Sequence, residues 1–181
     1  KFTKAAASDE EYMEAASEAV KKNKWGMFFI PQIGNEKDIR LASKYKMDFI
    51  RIGVDIKDYK STERYIKVSK DNSMFVAVNF MKSYASKTSE FVKAAKHVAN
   101  CGADLVYIVD SAGGMLPHEL SKYISELKKN VDIPFGFHGH NNLHLSNTNT
   151  LLALSQGAQV VDASLQGLGR SAGNASLEAI V

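Results

Sequence analysis

Leu105-Val-Tyr-Ile-Val-Asp110 is the stretch that decides the fold class, because five apolar residues follow one another in it without alternation. Such a strand is typical of a parallel sheet that is covered on both faces. Five further apolar runs flank it, and successive starts lie about 20 to 30 residues apart: 28–31, 49–54, 75–80, 135–140 and 160–165. This spacing is the period of a βα unit, so the sequence predicts six parallel strands.

The segments between these runs have helical periodicity. Two of them carry apolar stripes, formed by Phe91, Ala94, Ala95, Val98 and Ala99 and by Leu120, Tyr123, Ile124 and Leu127. The first segment, 9–23, opens with acidic residues and closes with lysines, which complements a helix dipole. Gly102 follows the fourth segment, where we expect a left-handed helix cap.

Six successive βα units allow two architectures, a doubly wound open sheet or a (β/α)₈ barrel. No Gly-rich dinucleotide fingerprint follows the first run, and the glycine-bearing stretch 167–174 comes after the last run instead. A barrel needs eight strands and typically about 250 residues, so this chain is two strands short of one. No Ser/Gly-rich linker divides the sequence, which predicts a single α/β domain over 1–181.

Composition excludes several classes of protein. The 181 residues are 45% hydrophobic and 24% charged, unlike collagen, disordered chains or membrane proteins. The 23 basic and 20 acidic residues are interleaved, and no apolar stretch approaches the roughly 18 residues of a membrane span, so we expect neither nucleic-acid nor membrane partners. The single cysteine favours a reducing compartment, and we expect a cytoplasmic protein. The sequence does not begin with Met, which suggests a piece of a longer chain.

The sharpest local motif is Phe135-Gly-Phe-His-Gly-His-Asn-Asn142. Residues two apart in a strand point to the same face, so His138 and His140 can present two imidazoles side by side at the end of a strand. Barrel enzymes place their active sites at that end. Two neutral imidazoles are partial ligands for Mn²⁺, Zn²⁺ or Fe²⁺, whereas the alternative is two loop histidines that bind solvent. The flanking glycines and asparagines favour the metal.

Asp110-Ser111-Ala-Gly-Gly114 ends the preceding run. An acid, a hydroxyl and turn amides at a strand end suit the binding of a carboxylate. The same residues also suit a βα turn in which Asp110 or Ser111 caps the next helix, and both interpretations stay open.

The glycine-rich stretch after the last run contains Arg170 and Asn174. Asn174 is expected either to be the N-cap of a helix or to reach a metal or bound acid with its side-chain oxygen. Arg170 could pair with an anionic substrate, although a solvated arginine is the default.

Other candidates rank lower. We expect His97 and His118 to face solvent. His144 could face the mouth of the pocket, and as a candidate ligand it ranks below His138 and His140. Cys101 is expected to be a packed thiol at a helix end, and Trp25 is expected to pack before the first strand.

These motifs, together with Asn-Thr at 149–150, Gly-Ala at 157–158, Val-Asp-Ala-Ser-Leu at 161–165 and Gly-Leu-Gly-Arg-Ser-Ala-Gly-Asn at 167–174, resemble the metal-dependent pyruvate aldolases. The 4-hydroxy-2-oxovalerate aldolases are their best-known members, in a wider group with isopropylmalate synthase and hydroxymethylglutaryl-CoA lyase. The resemblance covers nearly the whole chain in order and is specific in its C-terminal third.

The resemblance implies a (β/α)₈ TIM barrel of which this chain carries strands three to eight. In the family, strand one carries an Asp-x-Thr-Leu-Arg-Asp-Gly motif with a metal-binding aspartate and a substrate-binding arginine. A catalytic histidine follows that motif, and a tyrosine comes from beyond strand eight. None of these can be located in 1–181, so we expect a partial catalytic domain without its N-terminal strands and C-terminal tail. We expect no catalytic base in this chain and no activity from it alone.

The residues that match the family's motif are few. The resemblance implies metal binding by His138 and His140, substrate contacts from Ser111, His138 and Asn174, and a turn-orienting role for Asp110. It implies a divalent metal, Mn²⁺ first, with Mg²⁺ or Co²⁺ as alternatives.

The implied function is a class II aldolase that cleaves a 4-hydroxy-2-oxo acid, such as 4-hydroxy-2-oxovalerate, to pyruvate and an aldehyde. One alternative is a Claisen-type synthase that joins an acyl-CoA to a 2-oxo acid, since Gly-Asn-Ala-Ser-Leu-Glu at 173–178 also resembles the isopropylmalate synthases. Another is an inactive barrel fragment or acid-binding module. The last glycine loop lacks the catalytic cysteine of hydroxymethylglutaryl-CoA lyases. Expected partners are a small 2-oxo acid, an acylating aldehyde dehydrogenase and further copies of the full-length protein.

Overall fold

The structure, a computed structural model, describes residues 6–181. Its six strands form one parallel sheet in chain order: β1 Gly26–Phe29, β2 Phe49–Asp55, β3 Phe75–Met81, β4 Leu105–Asp110, β5 Phe135–Gly139 and β6 Val160–Val161. The six predicted strands are therefore confirmed. Every residue of β4 is buried, as its unbroken apolar run predicts.

Five helices connect successive strands and cover the outer face of the sheet: α2 Glu36–Lys44, α3 Glu63–Asp71, α4 Thr88–Asn100, α5 Pro117–Asn130 and α6 Ser146–Ser155. Helix α1, Asp9–Ala19, precedes β1, and the short α7, Leu177–Ile180, follows β6. Short 3₁₀ segments lie at Ile56–Thr62, Ser83–Ala85 and Leu165–Gly167. The predicted apolar stripes of α4 and α5 contribute to the main core, which lies between helices and sheet. Among the described residues, no helix is both long and apolar enough to cross a membrane.

The order of the strands distinguishes the two predicted architectures. A doubly wound sheet reverses its strand order, whereas here each strand pairs with its neighbours in sequence. The sheet is also curled. This is shown by the hydrogen bonds that Arg51 in β2 donates to Asp162, the residue after β6. Four strand spacings of a flat sheet would separate these strands by about 19 Å, well beyond the reach of the two side chains. The fold is therefore α/β, an incomplete (β/α)₈ barrel.

Three predicted boundaries are wrong. The strand predicted at 160–165 ends at Val161, because Asp162 turns its side chain to Arg51 and a 3₁₀ segment begins at Leu165. The first strand covers Gly26–Phe29 rather than 28–31, since a turn closed by hydrogen bonds to the Ile30 carbonyl follows it. The helix predicted at 9–23 ends at Ala19, which leaves its lysines beyond the last turn.

The left-handed cap at Gly102 is confirmed, with φ of +100°. An alanine Cβ there would meet only Lys70 Cγ, at 3.7 Å, so the glycine is required by its backbone conformation and not by lack of space. We expect Gly102→Ala to lower the free energy of unfolding by about 1 kcal/mol in urea denaturation. Gly114→Ala is the matched control, because Gly114 has no positive φ and a Cβ there meets nothing within 4 Å. Equal stabilities of the two variants would contradict this account.

Candidate active site

The predicted site residues meet at the C-terminal ends of the strands. His138 lies in β5 and His140 follows it, Ser111 follows β4, and Asn174 pairs with His140 in an isolated bridge between loops. All four line one cavity of about 340 Å³ inside the curled sheet. Side chains of β1, β2 and β3 complete its wall, as expected when parallel strands end at a common rim.

The His138 ring is held by a carboxylate. Its Nδ1 lies 2.7 Å from Asp162 Oδ2, and the side chain is about one-quarter exposed. A carboxylate that accepts from Nδ1 fixes the tautomer and the orientation of an imidazole, and it leaves Nε2 as the nitrogen that a ligand can use.

The His140 ring is held by the backbone instead. Its Nδ1 lies 3.3 Å from the Gly173 carbonyl oxygen, which again leaves Nε2 for a ligand. The His138 and His140 ring centroids are 5.1 Å apart and the rings are nearly perpendicular, at 86°. The two strand-end histidines therefore lie side by side, each with one ring nitrogen already engaged by the protein.

Asp162 is the centre of a polar network on the inner face of the sheet. Arg51 donates from Nη1 to Oδ1 at 2.9 Å and from Nη2 to Oδ2 at 2.5 Å, and Tyr107 donates to Oδ1 at 3.3 Å. The Arg51 guanidinium also stacks 4.2 Å from the centre of the Tyr107 ring and donates from Nε to Asn79. Every oxygen of this carboxylate is thus used within the protein, so Asp162 positions His138 rather than offering itself as a ligand.

Burial and charge act in opposite directions on these groups. Burial alone would raise the pKa of Asp162, but the hydrogen bond from His138 and the charge and hydrogen bonds of Arg51 outweigh it and hold this pKa below its usual range. Burial raises the pKa of Tyr107, and the neighbouring Asp162 carboxylate raises it further. The network therefore contains an ionised Asp162 and a neutral Tyr107.

Neither Asp110 nor Ser111 caps the next helix, since the N-cap of α5 is Leu116, and carboxylate binding stays a prediction. Asp110 is buried and accepts hydrogen bonds from the backbone N–H groups of Gly114 and Met115, which confirms that it orients the turn. Ser111 lines the cavity, and its Oγ accepts from the Lys82 backbone N–H at 3.0 Å. Since the oxygen is already an acceptor, its hydroxyl proton is available to an anion in the cavity.

Asn174 is not a helix N-cap, because α7 begins three residues later with Ser176 at that position. Its Nδ2 donates to the Leu168 carbonyl at 3.2 Å, whereas its Oδ1 is buried and has no hydrogen-bond partner among the described residues. A buried acceptor without a partner is costly in a folded protein, and this oxygen is therefore suited to contact a ligand; Asn149 Oδ1 and Thr150 Oγ1 are also buried without a partner in the described part of the chain. A Cβ at Gly169 would lie 2.3 Å from Asn174 Nδ2, so the glycine loop has to pack directly on this side chain.

Sequence reasoning missed Arg51 and the structural role of Asp162. A signal for Arg51 was present, because it is the one charged residue in the apolar run 49–54 and a buried charge requires a partner. Nothing local could identify that partner, which lies 111 residues further along the chain.

The lower-ranked candidates lie elsewhere. His118 and His144 are exposed, and neither lines the cavity, while Arg170 is exposed at its rim. Trp25 and Cys101 pack against the main core, as expected. The expectation that His97 faces solvent is wrong, because its Nε2 lies 2.8 Å from Glu63 Oε1 and its side chain is only 29% exposed.

The whole chain, residues 1–181, matches the family described as HMGL-like, and the protein belongs to this family. A 4-hydroxy-2-oxovalerate aldolase from Pelotomaculum thermopropionicum is 40% identical over 177 residues, covering 98% of this chain and 52% of that protein. An oxaloacetate decarboxylase from Mycobacterium tuberculosis is 33% identical over 177 residues, again 98% and 52% of the two chains. The resemblance to the aldolases is confirmed, and the chain spans about half the length of these curated relatives.

Solved structures agree on the fold. The N-terminal domain of a candidate aldolase from Bacteroides vulgatus is 28% identical with a TM-score of 0.83, covering 94% of this chain and 58% of that one. The carboxyl transferase domain of Rhizobium etli pyruvate carboxylase, solved with pyruvate, has a TM-score of 0.86 over 96% of this chain and 32% of that one. At 16% identity, the latter shows a common fold alone.

The bidentate pair of Arg51 and Asp162 predicts a large effect of Asp162→Asn. The change leaves a guanidinium without its counter-charge, and it should lower the free energy of unfolding at pH 7 by about 2–3 kcal/mol. This is less than for a fully buried pair, because both side chains keep about one-fifth of their exposure. Urea denaturation would measure it, with Asp58→Asn as control, since Asp58 is exposed and bonds only Gln32 among the described side chains.

The same comparison has a defined pH dependence. The pKa of Asp162 is lower in the folded than in the unfolded protein, so its contribution is fully present above the unfolded value of about 3.9. It is lost as the pH falls through the folded pKa. The stability difference between wild type and Asp162→Asn should therefore be constant near neutrality and shrink below about pH 4. A difference that stays constant to pH 3 would show that the ionised carboxylate is not its source.

Proposed function

We propose that this chain is the larger part of the catalytic barrel of a divalent-metal-dependent aldolase, which cleaves a 4-hydroxy-2-oxo acid such as 4-hydroxy-2-oxovalerate to pyruvate and an aldehyde. The observation that carries the proposal is the set of free donor atoms in the cavity. His138, His140 and Asn174 line one cavity, and each keeps an atom that can bind a metal and has no hydrogen-bond partner among the described residues: an imidazole Nε2 of each histidine and the amide Oδ1 of Asn174. Relatives named as 4-hydroxy-2-oxovalerate aldolases support the assignment.

The donor set fits a divalent metal. Imidazole nitrogen with amide oxygen suits Mn²⁺, our first choice, and also Mg²⁺ or Co²⁺. His138 and His140 would hold the ion and Asn174 would lie against it or against the substrate. When bound, the ion supplies Lewis-acid chemistry at the 2-oxo group of the substrate.

The chain's own residues would bind and orient the substrate. Ser111 would donate its hydroxyl proton to the carboxylate, because its oxygen is already occupied by the Lys82 N–H. Asp162, fixed by Arg51, would keep the His138 ring in place. The apolar side chains of Phe28, Ile30, Met81 and Val109 line the rest of the cavity and would limit access of water to the reacting carbons. We assign no catalytic base to this chain, so a base outside 1–181 would accept the proton of the 4-hydroxyl group.

A second candidate reaction is the decarboxylation of oxaloacetate, the activity named for the relative from Mycobacterium tuberculosis. It also leaves pyruvate with a carbanion at C3, so it would use the same carboxylate and 2-oxo contacts. The proposed aldolase and this reaction therefore share a half-reaction and differ in the group that leaves. The synthase and the acid-binding module differ from both reactions, because in neither of them does a carbanion form at C3 of pyruvate.

Hydrogen exchange at pyruvate C3 tests the shared half-reaction. The complete gene product is incubated with pyruvate in D₂O with Mn²⁺ or Mg²⁺, the metal is removed, and the loss of the methyl signal is followed by NMR. We expect metal-dependent exchange that His138→Ala and His140→Ala each abolish. His118→Ala is the matched control, since this exposed histidine lies outside the cavity, and it should exchange as the wild type does.

Each other outcome contradicts the proposal in a distinct way. Metal binding without exchange would favour the synthase, which enolises its acyl-CoA instead. Absence of metal binding would leave the acid-binding module. Exchange that persists in His138→Ala with normal metal affinity would exclude the assigned residues. Turnover of 4-hydroxy-2-oxovalerate against oxaloacetate then separates the two candidate reactions.

Ser111→Ala should act on binding of the substrate carboxylate. Loss of a hydrogen bond to a charged group predicts a rise in KM of about tenfold or more, with a smaller change in kcat, because the carboxylate contact exists before and during the reaction. Ser125→Ala, on the exposed face of α5, is the control for a serine outside the site. An unchanged KM in Ser111→Ala would place the carboxylate elsewhere.

The remaining parts of the proposal concern the whole protein. We propose that 1–181 is one partial TIM-barrel domain of it, that it is cytoplasmic and homo-oligomeric, and that an acylating aldehyde dehydrogenase accepts its aldehyde product. The open parallel edges of β1 and β6 support completion of the barrel by further strands, because unpaired edges associate readily with other strands.

A further inference from the structure

Three side chains with metal-binding atoms meet on the outer layer of the fold, between α3 and α4. They are Glu63, His97 and Cys101, and one ligand atom of each lies within 4.8 Å of those of the other two. None of them lines the cavity that holds His138 and His140. The helices of this layer cover the outer face of the sheet, whereas that cavity lies on its inner face.

The local structure places these groups together for simple reasons. His97 and Cys101 are four residues apart at the end of α4, so they project from one side of the helix. Glu63 is the first residue of α3 and directly follows the 3₁₀ segment Ile56–Thr62, which packs against α4. The ring of Tyr59 lies edge-on to the His97 ring, with centroids 5.1 Å apart, and helps to fix the imidazole.

We propose that Glu63, His97 and Cys101 form a second metal site, selective for zinc-class divalent cations, that links α3 to α4. Thiolate sulfur, imidazole nitrogen and carboxylate oxygen are the three ligand types of protein zinc sites, and a water molecule would complete a tetrahedron. Zinc bond lengths place such ligand atoms about 3.3–3.7 Å from one another. The observed atoms lie within 4.8 Å of one another, and Glu63 and His97 are closer, at 2.8 Å, so Cys101 Sγ would move in and the Glu63–His97 pair would widen, both by rotamer adjustment of partly exposed side chains.

Binding would exchange existing contacts for metal bonds. The Glu63–His97 hydrogen bond of 2.8 Å would open, and both atoms would turn to the ion. Burial, and then the charge of Glu63, raise the pKa of the Cys101 thiol, so the sulfur carries its proton in the metal-free protein. The thiol proton would pass to solvent as the sulfur–metal bond forms.

The ligand chemistry separates this site from the one inside the barrel. The inner site offers nitrogen and oxygen atoms only, whereas the outer site adds a sulfur atom, which Zn²⁺, Co²⁺ and Cd²⁺ bind more strongly than Mn²⁺ or Mg²⁺ do. The second site therefore does not depend on the aldolase assignment. Its expected effect is to stabilise the packing of two helices, because an ion that binds the folded state alone raises its stability.

Cobalt is the probe that reports the sulfur directly. Titration of the metal-free protein with Co²⁺ should produce a near-ultraviolet sulfur-to-metal charge-transfer band, and in a protein without the two inner-site histidines this band should saturate at one ion per chain. Cys101 is the one cysteine of the sequence, so Cys101→Ser should abolish the band. The double variant His138→Ala, His140→Ala should retain it. His97→Gln and Glu63→Gln should each weaken the Co²⁺ affinity of the sulfur site by at least about tenfold. In the His138→Ala, His140→Ala background, Zn²⁺ should compete with Co²⁺ and raise the Tm, and the further change Cys101→Ser should abolish this rise.

Several results would overturn the proposal. The first is the absence of a charge-transfer band, and the second is a band that survives in Cys101→Ser. The third is a Co²⁺ affinity that is unchanged in both His97→Gln and Glu63→Gln, because this would indicate that the thiol binds the ion alone. Far-ultraviolet circular dichroism and Tm of the metal-free variants establish that each one is folded. If Cys101→Ser is unfolded, the two glutamine variants decide the question, because their side chains are only partly buried.

Discussion

The bidentate pair of Arg51 and Asp162 is the interaction on which the rest of the site depends. It connects β2 with the end of β6 across the inner face of the sheet, so it fixes the curvature that brings the strand ends to one cavity. The same carboxylate orients His138. One carboxylate therefore ties the curvature of the sheet to the orientation of His138.

Much of the fold follows from local signals. The six strands could be predicted because each is an apolar run covered by helices, and α4 and α5 because their apolar residues recur on one side. The predicted end of β6 failed, since Asp162 is diverted by a partner that local patterns cannot show. The end of α1 failed because the lysines after Ala19 look like a last helical turn in sequence but lie beyond it.

The site was predictable to the extent that it lies at strand ends. His138, His140 and Ser111 each terminate an apolar run, and parallel strands bring such positions to one rim. Asn174 required the resemblance to a family, because its neighbourhood of glycines fits an N-cap equally well. The network of Arg51, Asp162 and Tyr107 was missed because it consists of contacts between distant strands, and no periodicity encodes them.

The charge of the inner cavity restricts what can bind there. Asp162 is the only carboxylate among the described residues that line it, and both of its oxygens are engaged by Arg51. The free donors are two imidazole nitrogens and one amide oxygen, and none of them brings a negative charge to a bound ion. A divalent ion held by these three atoms would keep its full positive charge in a partly buried place, where an unbalanced charge is unfavourable. Its counter-charge must come from outside 1–181 or from the substrate, and a 2-oxo acid provides a carboxylate next to the oxygen that the ion would bind. Because no free anionic donor lies in the described lining, any ion bound there would share its charge with the rest of the protein, with an anionic ligand, or with both.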